Sequence, residues 1–173
     1  PYRSIIEVLD DTIPREFLKE IRKYSLFSLN GINTPKIVYT PLNGTGNILV
    51  REILKNVEIK DVIVVPDQEK PDGNFPTCPY PNPEEKAALK LAVELADKKN
   101  ADLVLATDPD ADRVGIAVKT KNGYQLLNGN ETGVLMENYI FSLRKKTDKT
   151  PVFVKTIVTS DMSGDIAKAY GAE

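Results

Sequence analysis

The sequence contains no histidine. Within this chain that excludes His-ligated zinc, a Ser-His-Asp triad and a Cys–His pair, and leaves acid–base chemistry to Asp, Glu, Lys, Tyr and Cys. The single cysteine, Cys78, excludes an intrachain disulfide and fits a reducing compartment, so a cytoplasmic location is expected. No apolar run approaches the roughly 20 residues of a membrane-spanning helix. The opening Pro1-Tyr2-Arg3-Ser4 does not have the form of a signal peptide. Neither sign of charge dominates: 23 Lys and Arg stand among 25 Asp and Glu, for a net charge of −2, so there is no basic stripe for nucleic acid or an anionic membrane, and neither partner is expected.

What is present is the composition of an ordinary globular protein. At 173 residues the chain is long enough for one sizeable core, or for one domain and part of another. It does not begin with Met, and it stops at Gly171-Ala172-Glu173 just after a helical pattern. Both ends read as cut, and an internal piece of a longer protein is expected.

Strand-like runs alternate with helical periodicity. Pro14 to Leu29 reads as a helix with Phe17, Leu18, Ile21, Tyr24 and Leu29 near one face and Asn30-Gly31 as its stop. Lys36 to Thr40 is a short buried strand. Thr45 to Asn56 is a helix with Ile48, Leu49, Ile53 and Leu54 inward, and Asp61 to Val65 is a second strand. A stretch from Pro66 to Pro83 carries six prolines; irregular loops of that length are often functional. Pro83-Glu84-Glu85 suits the first turn of a helix running to about Asn100, and Ala101 to Thr107 is a third strand. Val114–Val118 and Tyr124–Leu127 flank Lys121-Asn122-Gly123, a hairpin signal. A further helix (Glu131–Lys145), strand (Val152–Thr156) and helix (Asp161–Tyr170, with Thr159, Ser160 and Asp161 as its cap) follow. The expected fold is α/β: three layers, α/β/α, with a mainly parallel sheet and an antiparallel edge hairpin over residues 1–127, then a partial second α/β unit over residues 128–173.

The densest chemistry is Asp108-Pro109-Asp110-Ala111-Asp112-Arg113, directly after the third strand. Ligand sites in open α/β sheets lie beyond the carboxyl ends of parallel strands. Pro109 biases Asp108 toward an extended backbone, and residues at alternate positions of an extended segment project to one side. Three carboxylates so placed repel unless a cation lies between them, and all-oxygen ligation suits Mg²⁺, Mn²⁺ or Ca²⁺. An EF-hand also begins D-x-D-x-D, but it requires Gly at its sixth position and Glu at its twelfth, where this chain has Arg113 and Lys119. The plainer alternative is an Asp-Pro turn with surface carboxylates and an Asp–Arg ion pair. Arg113 suits either a phosphate beside a cation or simple charge balance.

With the segments Thr40-Pro-Leu-Asn-Gly-Thr-Gly46, Pro71-Asp-Gly-Asn-Phe-Pro76, Pro79-Tyr-Pro-Asn-Pro-Glu84 and Lys155-Thr-Ile-Val-Thr-Ser160 in the same order, the D-x-D-x-D-R loop resembles the α-D-phosphohexomutase family of phosphoglucomutases and phosphomannomutases. The likeness spans nearly the whole chain, and the Pro-rich loop is most similar to bacterial phosphoglucomutases and their phosphopentomutase-like relatives. The resemblance implies a metal-binding second domain at residues 1–127 and the opening of a third at 128–173. It makes Asp108, Asp110 and Asp112 ligands of Mg²⁺, Arg113 an active-site or phosphate contact, and Lys155, less directly, a basic residue facing substrate. The implied reaction moves a phosphoryl group between the 1- and 6-positions of a hexose phosphate through a bisphosphate intermediate, with phosphoglucomutase activity expected. The implied donor is a phosphoserine on a domain this chain does not include: no T-A-S-H-N-type loop, G-E-E-S-G pattern or Arg-Ser-Gly-Thr grip occurs here. The isolated chain is therefore expected to be inactive as a mutase. The alternative is a non-catalytic α/β module that binds a divalent cation or an anionic ligand.

Gly44-Thr45-Gly46 lacks the third glycine of a dinucleotide loop, since position 49 is Leu, and reads as a tight strand-to-helix turn, with a backbone anion site at that helix start as the alternative. Cys78, with no other Cys or His nearby in sequence, reads as an incidental thiol, and Tyr80 either packs against this domain or faces a neighbouring one.

Overall fold

The computed structural model describes residues 7, 10–26, 28–29, 31–144 and 149–173. A five-stranded sheet is ordered β2-β1-β3-β4-β5, with β1 at Ile37–Thr40, β2 at Val62–Val64, β3 at Leu103–Thr107, β4 at Val114–Thr120 and β5 at Gly123–Leu127. β1 pairs in parallel with β2 and with β3, whereas β3, β4 and β5 form an antiparallel meander. The hairpin between β4 and β5 turns on Lys121-Asn122, and Gly123 takes up a φ of +100° there. The helices are α1 (Thr12–Arg22), α2 (Asn47–Asn56), α3 (Lys86–Lys99), α4 (Gly129–Leu143) and α5 (Asp161–Ala169).

The layers follow from the connections. β1 to β2 steps outward across the sheet, and β2 to β3 steps back past β1. Right-handed crossovers in opposite directions place α2 and α3 on opposite faces. α3 packs on β1, β3 and β5, and α1 packs on α2. Because side chains alternate along a strand, Val38, Val104 and Ala106 meet Leu89, Ala92 and Ala96 of α3, while Ile37 and Tyr39 are buried on the other face. β1 is buried at all four residues, as a β-branched and aromatic run in the sheet interior should be.

Several expected boundaries move. The first helix ends at Arg22, not Leu29: the amides of Lys23, Tyr24 and Ser25 turn to carbonyls three residues back, and Tyr24 is exposed. Only Leu18 of the expected apolar face is buried. The stop at Asn30 and the end at Lys145 lie outside the described residues. Ile48 is not inward but 69% exposed, because α2 begins only at Asn47 and turns Leu49, Val50 and Ile53 toward α1. Pro83, Glu84 and Glu85 precede α3 rather than opening it. Asn82 holds them in a turn, accepting from the Glu84 amide at its side chain (3.1 Å) and from the Glu85 amide at its carbonyl (3.0 Å). α3 closes on Asn100 in the left-handed conformation, a common helix stop.

After β5, α4 starts on a capping box between Asn128 and Glu131, and α5 on Ser160, whose hydroxyl accepts from the Met162 amide. The two helices pack together, with Phe141 stacked on Tyr170 at 5.6 Å. The strand expected at Val152–Thr156 is not formed. Phe153 N donates to Glu173 O (2.7 Å), Glu173 N donates to the neighbouring Pro151 O (2.9 Å), Thr156 O accepts only from the nearby Thr159 amide (3.1 Å), and Val152 and Val154 are exposed. A ladder needs a neighbour over several residues, and a single residue cannot supply one.

Candidate metal centre

β3 ends at Thr107, and the chain turns at once. The Ala111 amide donates to the Asp108 carbonyl (3.0 Å), and Ala111 sits at a φ of +61°. The three aspartates therefore converge across a tight turn, not along an extended segment as their alternate spacing suggested. One carboxylate oxygen from each of Asp108, Asp110 and Asp112 lies within 4.8 Å of the others. Asp108 is buried beneath the turn, and Asp110 and Asp112 face solvent.

Arg113 organises the inner carboxylate. Its amide donates to Asp108 Oδ1 (3.0 Å), its Nε donates to Oδ2 (2.7 Å), and Asp112 Oδ1 lies 3.6 Å from the same nitrogen. Burial works against ionisation of Asp108, but the Arg113 amide and guanidinium, with Asp112, hold its carboxyl below the usual carboxylate range. Asp112 goes the other way: its hydrogen bond with Asp108, then the charges of Asp110 and Asp108, push it up. Chiefly through its bond to Asp108, Arg113 becomes still harder to deprotonate. Three carboxylates against one guanidinium leave an excess of negative charge that a divalent cation would relieve. The donor set, all carboxylate oxygen, fits Mg²⁺ or a similar hard cation and leaves coordination positions for other oxygens.

The loop rests on the strand-to-helix turn after β1. The Thr45 amide and hydroxyl both donate to the Pro109 carbonyl (2.8 and 3.1 Å). A Cβ on Gly44 would stand 2.3 Å from Pro109 Cα and 2.5 Å from its carbonyl oxygen, so only glycine permits this approach. A Cβ on Gly46 would meet Thr107 Oγ1 and Tyr39 Oη, which bond to each other at 2.9 Å. Burial, opposed by that bond, pushes the Tyr39 phenol up. The glycines read as a tight turn thus serve as the seat of the aspartate loop.

The Pro-rich loop is tied to the same turn through buried polar residues that sequence reasoning missed. Asn43, at a φ of +58°, donates from Nδ2 to the carbonyls of Lys70 (2.9 Å) and Asp67 (3.3 Å). Gln68 accepts from Thr40 Oγ1 (2.7 Å) and donates to Thr77 Oγ1 (3.1 Å). Gly115 lies under Pro83, whose carbonyl oxygen would be 2.0 Å from an added Cβ. Cys78 is buried with Leu42 and Ala88, and burial pushes its thiol up; Tyr80 is exposed and does not pack against this domain, the other of its two readings staying open.

Lys155 is not drawn to the aspartates. Its Nζ donates to Asp161 Oδ1 (3.0 Å), at the first residue of α5, and to the Thr159 carbonyl (3.1 Å) just before it. Among the described residues no helix is long and apolar enough to cross a membrane.

Residues 15–123 match the family model for phosphoglucomutase/phosphomannomutase, alpha/beta/alpha domain II. A phosphomannomutase of Mycoplasmoides pirum is 38% identical over 98% of this chain and 31% of its own length. A phosphoglucomutase of Staphylococcus saprophyticus is 35% identical over 97% of this chain and 30% of its own. The phosphoribomutase of Saccharomyces cerevisiae is 41% identical over 77% and 23%. A crystal structure of a phosphoglucomutase/phosphomannomutase family protein from Burkholderia thailandensis superposes with a TM-score of 0.73 at 19% identity, over 93% of this chain and 32% of that one. The chain thus spans about a third of the length of these first two relatives. From the domain match and the alignments along most of its length, the chain belongs to the phosphoglucomutase/phosphomannomutase family of phosphosugar mutases.

Proposed function

We propose that this chain supplies the cation-binding half of the active site of a Mg²⁺-dependent mutase that moves a phosphoryl group between the 1- and 6-positions of a hexose phosphate, with glucose phosphate as substrate. The observation that carries it is the convergence of Asp108, Asp110 and Asp112 after β3, in a chain of this family. The three carboxylates would hold Mg²⁺. When bound, the ion supplies electrostatic stabilisation to a phosphoryl group in transfer. Asp108 orients Arg113 through two hydrogen bonds, and the guanidinium, with its side chain 55% exposed, remains available to a phosphate oxygen. Phosphoryl transfer asks mainly for such positioning and charge, so the absence of histidine here is no obstacle.

In this reading residues 1–127 form the metal-binding second domain and 128–173 open the third. The phosphoryl-donating serine belongs to another domain, and the 173-residue chain alone turns over no hexose phosphate. Lys155 faces substrate only if its bonds to Asp161 and Thr159 are exchanged. In the full-length protein, Asp110→Ala is expected to abolish Mg²⁺-dependent conversion of glucose 1-phosphate to glucose 6-phosphate; undiminished turnover would refute the ligand assignment. A non-catalytic cation-binding module would show Mg²⁺ binding in the full-length protein and no turnover of any sugar phosphate.

A further inference from the structure

We infer that Asn43 is a positioning residue for the aspartate loop, linking the Pro-rich loop to the cation site; the inference rests on the cation reading given above. Asn43 is buried and makes hydrogen bonds to the Pro-rich loop from every polar group it has. Its amide donates to the Gln68 carbonyl (3.0 Å), and its own carbonyl accepts from the Asp72 amide (2.9 Å). Its Nδ2 reaches the carbonyls of Lys70 and Asp67, and its Oδ1 accepts from Thr77 Oγ1 (3.4 Å).

The next residue is the one pressed on the metal loop. Gly44 lies against the Pro109 backbone, between Asp108 and Asp110, and Thr45 clamps the Pro109 carbonyl with two donors. A path therefore runs from residues 67–77 through Asn43 to Gly44, which packs on Pro109, and Thr45, which bonds to it, a single residue from each of two proposed ligands. Leu42 and Asn43 both sit in the left-handed region, at φ of +49° and +58°. Asparagine tolerates that conformation better than most residues, and its amide secures it from the side. The turn is closed by its own bonds, from the Gly44 amide to the Pro41 carbonyl (2.8 Å) and from the Leu42 amide to Thr40 Oγ1 (3.1 Å), and the Asn43 side chain adds the ties that fix it against the Pro-rich loop. Asn43 thus acts on the carboxylates through the backbone and touches neither cation nor substrate.

The test uses the full-length protein with Mn²⁺ as probe, bound and free ion being distinguished by electron paramagnetic resonance. Asn43→Gly keeps the left-handed backbone and removes every side-chain tie. It is expected to weaken Mn²⁺ binding roughly tenfold, as losses of outer-shell partners typically do. Thr77→Val, in the Pro-rich loop itself, removes one tie to Asn43 and decides the matter if Asn43→Gly does not fold; it is expected to weaken binding several-fold. Leu95→Ala on α3 destabilises the core away from this path and is expected to leave Mn²⁺ affinity unchanged well below its melting temperature. Wild-type affinity in a folded Asn43→Gly, or in Thr77→Val if Asn43→Gly is unfolded, overturns the positioning role while leaving the cation site standing. Equal weakening in Leu95→Ala overturns it as well, since loss of stability alone would then suffice. No saturable Mn²⁺ binding by the wild type overturns the cation reading and this inference with it.

Discussion

Replacing Gly44 by alanine puts one methyl group where the metal loop now lies. The added Cβ would fall 2.3 Å from Pro109 Cα, 2.5 Å from its carbonyl oxygen and 2.8 Å from its carbonyl carbon. Ordinary carbon contacts lie at about 3.5–4.0 Å, so the two backbones must part by roughly 1 Å. No flexible side chain is there to yield: all three atoms are backbone, and Thr45 binds the same carbonyl. Overpacking of this kind costs about 1–3 kcal/mol. At roughly 2–4 °C per kcal/mol for a chain of this size, the melting temperature should fall by about 2–12 °C. The displaced atoms lie between Asp108 and Asp110, so Mg²⁺ affinity should fall at least roughly tenfold. Gly73→Ala is the control, since nothing lies near its added Cβ, and neither quantity should change. Thermal unfolding by circular dichroism and a Mg²⁺ titration read the two effects. A Gly44→Ala protein with wild-type melting and wild-type affinity would refute the claim that this contact seats the loop.

Other outcomes follow from the same geometry. Asp108 has a folded-state pKa below its unfolded value, so its stabilisation is present above about pH 4 and is lost as pH falls through the lowered value. Asp108→Asn should therefore lower the urea midpoint at pH 7 and flatten its decline below pH 4; a decline parallel to wild type down to pH 3 would contradict this. Asp112, raised by its acidic neighbours, contributes in the opposite sense, and Asp112→Asn should raise the cation-free melting temperature while weakening Mg²⁺ binding. A lower melting temperature in Asp112→Asn would show that the repulsion is absent. Cys78 is buried with its thiol pushed up and donates to the Tyr80 carbonyl, so it should react with a disulfide reagent slowly in native buffer and quickly in urea; rapid stoichiometric labelling of the native chain would show the loop to be open.

The parts legible in sequence were those whose chemistry is consecutive. The aspartates announce themselves because three acids and an arginine fall within six successive positions after an apolar strand. The α/β order was readable because β-branched runs and helical periodicity alternate cleanly. The turn that brings the carboxylates together was not, since nothing about Ala111 marks it for a left-handed φ; packing against Gly46, whose added Cβ would lie 3.2 Å from the Ala111 Cβ, accompanies that conformation. Asn43 and Gln68 gave no signal because the partners of a buried polar side chain are scattered along the chain, as Thr40 is from Gln68. Helix ends were misplaced where a favourable local pattern lacked tertiary cover. Tyr24 continues the apolar stripe of α1 in spacing but is exposed, and Val152–Thr156 has β-branched residues but no adjacent strand among the described residues. Lys155, singled out by resemblance, is held in its own loop by Asp161.

The most direct measurement of the central claim is calorimetric titration of Mg²⁺ into the wild-type chain and into Asp110→Asn. Asp110 is exposed, so the substitution should leave the fold intact, within about 0.5 kcal/mol. The account predicts a single saturable Mg²⁺ site in the wild type and its loss in the variant. Heats that do not saturate in the wild type, or equal affinity in the two proteins, would contradict it.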